Sequence, residues 1–314
     1  MYNIIQMKYN HNNVYLYFGL IVIIMICVLF ASTNMGWKEM FTIKIPDNFN
    51  LEHLIESVGT ETLYKKTSKH QQIKVIRVNP NEYGYNTCLI LNNEIQFCNN
   101  DEKLYHEFIA HFPVAYLKNV EHVLIVGGGD LMTLREIMKY KTIQRVDVLE
   151  LDKKVIDVSL KYFTENNISK FENDERVHIH IGDATQTIQK LPSDVHYDLV
   201  ILDVTEDSEN NSPVEKRPFF QACKQKMKKN SVLVKNGFVV NTMPKKIKER
   251  KMNIYNDLKE LFAHIGVYEV DMATYEDSNT YKFILASDTV QIGNSPQNET
   301  TSSLKLDEYE YEKH

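Results

Sequence analysis

Cysteine is scarce in this 314-residue chain: Cys27, Cys88, Cys98 and Cys223 are too few and too scattered for a disulfide framework or a zinc site. A reducing environment is therefore the default for the globular part. A basic excess is missing as well, with 36 Lys+Arg against 42 Asp+Glu and a formal net charge of −6. Without surplus cations to neutralise phosphates, a general nucleic-acid binder is excluded. Glycine and proline are sparse, at 11 and 8 residues, which excludes a collagenous chain. Bulk disorder is excluded by ordinary proportions of hydrophobic (43%) and charged (25%) residues. No internal repeat is visible.

Long apolar runs are absent, with one exception. Residues 14–31 (VYLYFGLIVIIMICVLFA) carry no charge. As a helix this stretch would span about 27 Å, close to the thickness of a bilayer's hydrocarbon core. A signal peptide is the competing reading, but only Lys8 precedes the run and no small-x-small cleavage site follows. The expectation is a single-pass membrane anchor at 14–31, after a short tail at 1–13. At the other end, residues 288–314 hold six acids and two lysines among Asn, Ser, Thr and Gln, a composition that cannot fold alone.

Between these ends, short β-type runs at 41–45, 73–78, 88–91 and 94–97 are separated by turn residues, giving a small β domain over 37–100. A helix opens at Asp101. Apolar runs at 122–126, 145–150, 177–181, 197–203 and 237–241 then alternate with helical stretches at 132–140, 153–163, 184–190, 215–229 and 247–265. Runs at 267–272 and 281–287 close the series. Strands alternating with helices imply right-handed crossovers and a parallel sheet covered on both faces, so a doubly wound α/β domain is expected over 101–287.

Ligands of such sheets sit beyond the carboxyl ends of the strands. Four successive runs each deliver an acid there: Asp130 after Gly127-Gly128-Gly129, then Glu150, Asp183 and Asp203. A single strand-end acid more often caps a helix or a turn. Four on one rim beside a glycine loop point to a site. Met132 stands where a dinucleotide fingerprint needs its third glycine, which disfavours NAD and FAD. Glu150, about twenty residues on, has the spacing of an acid that grips both ribose hydroxyls. Asp183 is placed to accept from an adenine amine. The set describes an S-adenosyl-type ligand whose sulfonium suits an acidic rim.

Several blocks also resemble one family. LILNNEIQ, NDEKLYHEFIAH, VLIVGGGDLMTLREIMKY, VDVLELDKKVIDVSLKYF, RVHIHIGDA and YDLVILDVTED follow the order found in polyamine aminopropyltransferases, the spermidine synthase family. Ser68-Lys69-His70-Gln71 and Ala273-Thr274-Tyr275 are similar to its flanking motifs. The resemblance covers roughly residues 37–287 and implies a Rossmann-like fold of the S-adenosylmethionine-dependent methyltransferase type. It implies that Gln71, His106, Gly127, Gly129, Glu150 and Asp183 hold the nucleoside of decarboxylated S-adenosylmethionine, a co-substrate, with no cofactor and no metal. Gln96, Tyr105, Asp130, Glu206 and Tyr275 would face the aminopropyl group or the polyamine, and Asp203 would be the base. A homodimer or homotetramer is implied too. Because the family's donor is made in the cytosol, an anchored chain would keep its catalytic domain on the cytosolic side.

The residue types suit that chemistry. The carbon beside a sulfonium is electrophilic and the thioether leaves neutral, so no general acid is required. The acceptor amine is protonated in water and must lose a proton to a nearby carboxylate before it attacks. Departures cluster on the acceptor side: Asp203-Val204-Thr205-Glu206-Asp207 replaces D-x-x-D-P, the glycine-proline-alanine gate is missing, and Tyr281-Lys282-Phe283 replaces W-G-F. Asn92-Asn93 replace Asp-Gly, and Leu131 stands at a usual glycine, placing a branched side chain near the donor loop. A methyltransferase and a non-catalytic ligand-binding homologue are the competing readings.

Overall fold

A computed structural model describes residues 60–81, 84–99, 102–171, 173–205, 212–237, 245–271 and 280–292. Strands β1 (Thr60–Thr67), β2 (Gln72–Asn81), β3 (Gly84–Leu91) and β4 (Glu94–Cys98) form a four-stranded sheet in that order. Asn92 and Asn93 both take positive φ, 48° and 66°, and make the two-residue turn between β3 and β4. Asparagine tolerates that region better than other non-glycine residues, so the loss of the Asp-Gly pair leaves the hairpin intact. Its register sets Cys88 opposite Cys98, with Cα atoms 4.1 Å apart, and the two are joined by a disulfide. Ten residues of sequence separation hid a pair that the hairpin makes adjacent.

The second sheet is built by alternation. Helix α1 (Glu102–Val114) leads to β5 (His122–Gly127), α2 (Met132–Ile137), β6 (Arg145–Glu150), α3 (Lys153–Tyr162), β7 (Val177–Ile181), α4 (Ala184–Thr187) and β8 (Tyr197–Asp203). Then come α5 (Arg217–Gln225), β9 (Met227–Asn236), α6 (Lys245–Leu261), β10 (His264–Asp271) and β11 (Thr280–Ser287). The strand order is β10-β11-β9-β8-β5-β6-β7. Successive residues along each strand enter opposite cores: Val123 and Ile125 of β5 join one cluster, Leu124 and Val126 the other, and Leu199/Ile201 against Val200/Leu202 of β8 repeat this. Each such side chain stabilises by roughly 1.5–3 kcal/mol when fully buried, so a one-residue slip of register would forfeit both cores at once.

Three expectations are corrected here. The sheet is mixed rather than parallel: β5 to β9 run parallel, but β10–β11 and β11–β9 are antiparallel. The ninth strand described is Met227–Asn236 and the helix before it ends at Gln225, short of the 229 expected; the run expected at 237–241 lies, beyond Gly237, outside the described residues. The lysines at 226, 228 and 229 read as the polar face of a longer helix, yet they lead into the buried run Val232-Leu233-Val234. Finally, the anchor expected at 14–31 lies outside the described residues. Among the described ones no helix is long and apolar enough to cross a membrane, and the longest, α6, is densely charged. The membrane helix and the membrane location are therefore withdrawn.

Leu131 also differs from expectation. It takes a left-handed conformation (φ 65°) just before α2, as a glycine would, but its side chain is fully buried in the core. Left-handed backbone costs a branched residue about 1–2 kcal/mol, whereas removing a buried leucine costs about 2–5 kcal/mol. Packing wins. Leu131→Gly is expected to destabilise the protein by roughly 2 kcal/mol in chemical unfolding; a stabilised variant would show that backbone strain dominates.

Candidate active site

The chain runs β5, β6, β7 to one side of the sheet and places β8 on the other, so the switch point of the topology lies between β5 and β8. Gly127 and Asp203 are partners in that register. Gly127 has φ 81°, and a Cβ there would stand 2.0 Å from the Asp203 carbonyl oxygen, so only glycine fits. The amide of Gly128 then donates to the same carbonyl at 2.9 Å. The turn residues thus hold Asp203 at the mouth of the crevice.

Around the Asp203 carboxylate the donors are specific. Tyr105, from α1, donates its hydroxyl to Oδ1 at 2.6 Å, and Thr133, from α2, donates to Oδ2 at 2.6 Å. Burial and the charge of Asp130 push the Asp203 carboxyl up from its ordinary value, against the pull of His106 and of these two hydroxyls. Asp130 accepts from the amide of Met132 at 2.7 Å and lies 3.6 Å from Nε2 of His106. His106 in turn donates from Nδ1 to the Glu102 carboxylate at 2.9 Å. Arg135 grips Glu102 with both terminal nitrogens, at 2.8 and 2.9 Å. Burial of His106 opposes its charge, but Asp130 and Glu102 outweigh that and push its pKa up to about 10. Burial likewise opposes charge on Glu102, yet His106 and Arg135 bring it down to about 2.

A second group forms one strand along. Glu150, at the end of β6, is buried, and its Oε1 accepts from the amide of Asp152 at 2.8 Å. A Cβ on Gly129 would stand 2.7 Å from the other oxygen of Glu150, so this glycine exists to let the carboxylate approach the loop. Burial, with the charges of Asp130 and Asp152, pushes Glu150 up to about 7. Asp152 caps α3 and also accepts from Ser68 and, at 3.4 Å, from the amide of Gln71, which ties the β1–β2 turn to this end of β6.

The structure therefore brings together Tyr105, His106, Asp130 and Asp203 with Gly127, and Glu150 and Gly129 with Gln71 through Asp152. Asp183 stands at the end of β7 beside them, since Gly182 donates to the Glu150 carbonyl at 2.9 Å; its exposed carboxylate caps α4 through Thr185. Gln96, half-buried on β4, donates to the Glu94 carbonyl at 3.0 Å rather than to the rim acids. Glu206 and Tyr275 lie outside the described residues. Five residues escaped the sequence reading: Thr133, Glu102, Arg135, Asp152 and Asn236. Asn236 donates from Nδ2 to the Tyr105 hydroxyl at 3.0 Å and to the Val204 carbonyl at 2.9 Å. It ends a strand, and the same strand-end rule finds it once β9 is placed correctly.

The site's electrostatics are testable without a ligand. Because the folded pKa of His106 is raised from 6.5 to about 10, its ion pairs contribute fully below pH 6.5 and are lost as pH rises toward 10. Imidazole nitrogen resonances of His106 should stay those of the protonated ring through pH 8, and Glu102→Gln should bring the titration down into reach. A ring that titrates near 6.5 in the unaltered protein would refute the charge assignment.

The sequence and the fold are both similar to known proteins. The family model of the spermine/spermidine synthase domain matches residues 102–295. A polyamine aminopropyltransferase of Prochlorococcus marinus (strain AS9601) is 34% identical over 200 residues, covering 64% of this chain and 67% of the relative. A spermine synthase of Arabidopsis thaliana is 35% identical over 173 residues, 55% of this chain and 46% of that one. Among solved structures, a spermidine synthase in complex with the transition state analogue AdoDATO superposes with a TM-score of 0.65 and 26% identity, covering 73% of this chain and 74% of that one.

Proposed function

We infer the activity from membership: the chain belongs to the spermine/spermidine synthase family, and it is an aminopropyltransferase. We propose decarboxylated S-adenosylmethionine as the donor and putrescine or a longer polyamine as the acceptor, with methylthioadenosine and a spermidine-type product. The observation that carries this reading is the pairing of a hydroxyl-held carboxylate, Asp203, with a second acid, Asp130, at the switch point of the sheet.

In this reading Glu150 accepts from both ribose hydroxyls beside Gly129, Gln71 and His106 complete the nucleoside end, and Asp183 accepts from the adenine amine. Asp130 receives the aminopropyl ammonium. Asp203 accepts a proton from the attacking amine; the nitrogen forms its bond to the carbon next to sulfur as the carbon–sulfur bond breaks, and that electron pair stays on sulfur as a neutral thioether. The raised pKa of Asp203 favours the transfer, because a more basic carboxylate takes the proton more readily. Tyr105, Gln96, Glu206 and Tyr275 are the remaining acceptor-side residues, and charged amines suit both their carboxylate and their aromatic faces.

Incubating the full chain with decarboxylated donor and a panel of amines, read by mass spectrometry, tests the reading. Methylthioadenosine together with an amine lengthened by one aminopropyl unit supports it. S-adenosylhomocysteine and a methylated product formed from the carboxylated donor would favour a methyltransferase. Asp203→Asn should keep the fold and nucleoside binding yet lose at least about 10²-fold in turnover, the scale of removing a general base; near-normal turnover would end that assignment.

Glu150 gives a separate test. With its carboxyl raised to about 7, methylthioadenosine should bind more tightly as pH rises through 7 and Glu150 ionises. Glu150→Gln should abolish that rise and weaken binding by about 1.5–3 kcal/mol, the worth of a charge-assisted hydrogen bond. Calorimetry with unchanged affinity and pH dependence would place the nucleoside elsewhere.

A further inference from the structure

The last two residues of β9 reach the base by an unexpected route. Lys235 is fully buried. Its Nζ donates to the backbone carbonyl of Asn236 at 2.6 Å and to that residue's side-chain Oδ1 at 2.7 Å, and it forms an ion pair with Glu215 at 3.3 Å. A lysine ammonium can only donate and the Val204 carbonyl can only accept. The Asn236 amide is therefore fixed from both sides: oxygen to Lys235, nitrogen to Val204 and to the Tyr105 hydroxyl.

That orientation settles where a proton lies. Since Asn236 donates to the Tyr105 oxygen, the phenolic proton is left for Asp203, and the bond there is short, at 2.6 Å. A reversed amide would present its oxygen to Tyr105 and compete for the same proton. The pair also holds the chain on both sides of residues 206–211: Asn236 binds the Val204 carbonyl before them, and Lys235 binds Glu215 after them.

We propose that Lys235 is a positioning residue for aminopropyl transfer, which sets the Asn236 amide so that Tyr105 donates its proton to Asp203. This rests on the aminopropyltransferase reading above. The groups facing Asp203 are Tyr105 and His106 from α1, Thr133 from α2 and Asp130 from the glycine loop. Among the described residues, Lys235 faces Glu215, with Arg250 and Lys251 of α6 on that carboxylate's other contacts. Within such a chain each hydrogen bond polarises the next, and a buried cation at its head strengthens donation toward the carboxylate at its foot.

The test is Lys235→Met beside Lys235→Arg in the full chain. In Lys235→Met, turnover should fall about tenfold and the acid limb of its pH profile should move up by about half a unit to one unit, since Asp203 loses part of the donation that keeps it ionised. Methylthioadenosine affinity should stay within about twofold, because the donor group at Glu150 is not touched. Lys235→Arg, which keeps the charge and the donors, should restore most of the turnover and the position of the limb.

A folded Lys235→Met with unaltered turnover and limb overturns the proposal. So does an equal loss of turnover and nucleoside affinity that Lys235→Arg fails to rescue, since that is general loosening. If the Met variant does not fold, Glu215→Gln, which weakens the hold on Lys235, must move the limb in the same direction, and an unmoved limb counts against the proposal. Nitrogen NMR of the Asn236 side-chain amide separates this inference from the activity. Its resonances should shift in Lys235→Met whether or not the protein transfers aminopropyl groups, whereas absence of product from the unaltered chain would fault only the functional reading.

Discussion

Two carboxylates, Asp130 and Asp203, share one partly enclosed crevice, and their mutual repulsion is the constraint the surrounding structure is arranged to offset. The charge of Asp130 raises the cost of ionising Asp203, and burial adds to it. The compensation comes as a line of alternating charge from α2 through α1 to the rim: Arg135, Glu102, His106, then Asp130. The line requires α1 and α2 to pack side by side with Arg135, Glu102 and His106 out of water. In a low-dielectric interior such pairs hold only when their hydrogen-bonding capacity is nearly filled, as the bidentate Arg135–Glu102 contact and the two bonds of His106 Nδ1 achieve.

Much of this was legible in the sequence because the parallel strands are unbroken apolar runs ending in an acid. Runs 145–150, 177–181 and 197–203 coincide with β6, β7 and β8, and their final residues are site residues or adjoin them. Strand β9 starts ten residues before the run expected at 237–241, because Lys226, Lys228 and Lys229 lead into it with the spacing of a helix's polar face, and this hid Asn236 and Lys235. Thr133, Glu102 and Arg135 could not be ranked from sequence. Their types are commonplace on helices, and only the α1–α2 packing turns them toward Asp203 and His106. The Cys88–Cys98 pair was hidden for a related reason, since hairpin register and not sequence spacing brings the two together.

Two glycines of the loop serve different purposes within the fold itself. Gly127 yields to the backbone of Asp203 and Gly129 to the carboxylate of Glu150, so the loop is a spacer between two acids. Leu131 completes it in a conformation normally left to glycine while burying its side chain in the core. That arrangement anchors the loop from below, where a glycine would leave it held by backbone bonds alone.

Asp203 and Glu150 are held uphill. Counting the line together with Asp203 gives two cations, Arg135 and His106, and three anions, Glu102, Asp130 and Asp203, so one positive charge would balance it. Glu150 nearby is raised for the same reason, burial beside like charge. In the proposed reading, a sulfonium donor and an ammonium acceptor each bring a positive charge to this place, and each favours the ionised forms of the acids that receive it. Donor binding therefore makes Asp203 a better-ionised acceptor before the amine arrives. In that reading transfer removes the donor's charge, because the thioether leaves neutral, and the nucleoside product loses its electrostatic hold while the proposed ribose contacts remain. Substrate charge thus completes a deliberately incomplete cluster, and its disappearance on reaction weakens the grip on what is left behind.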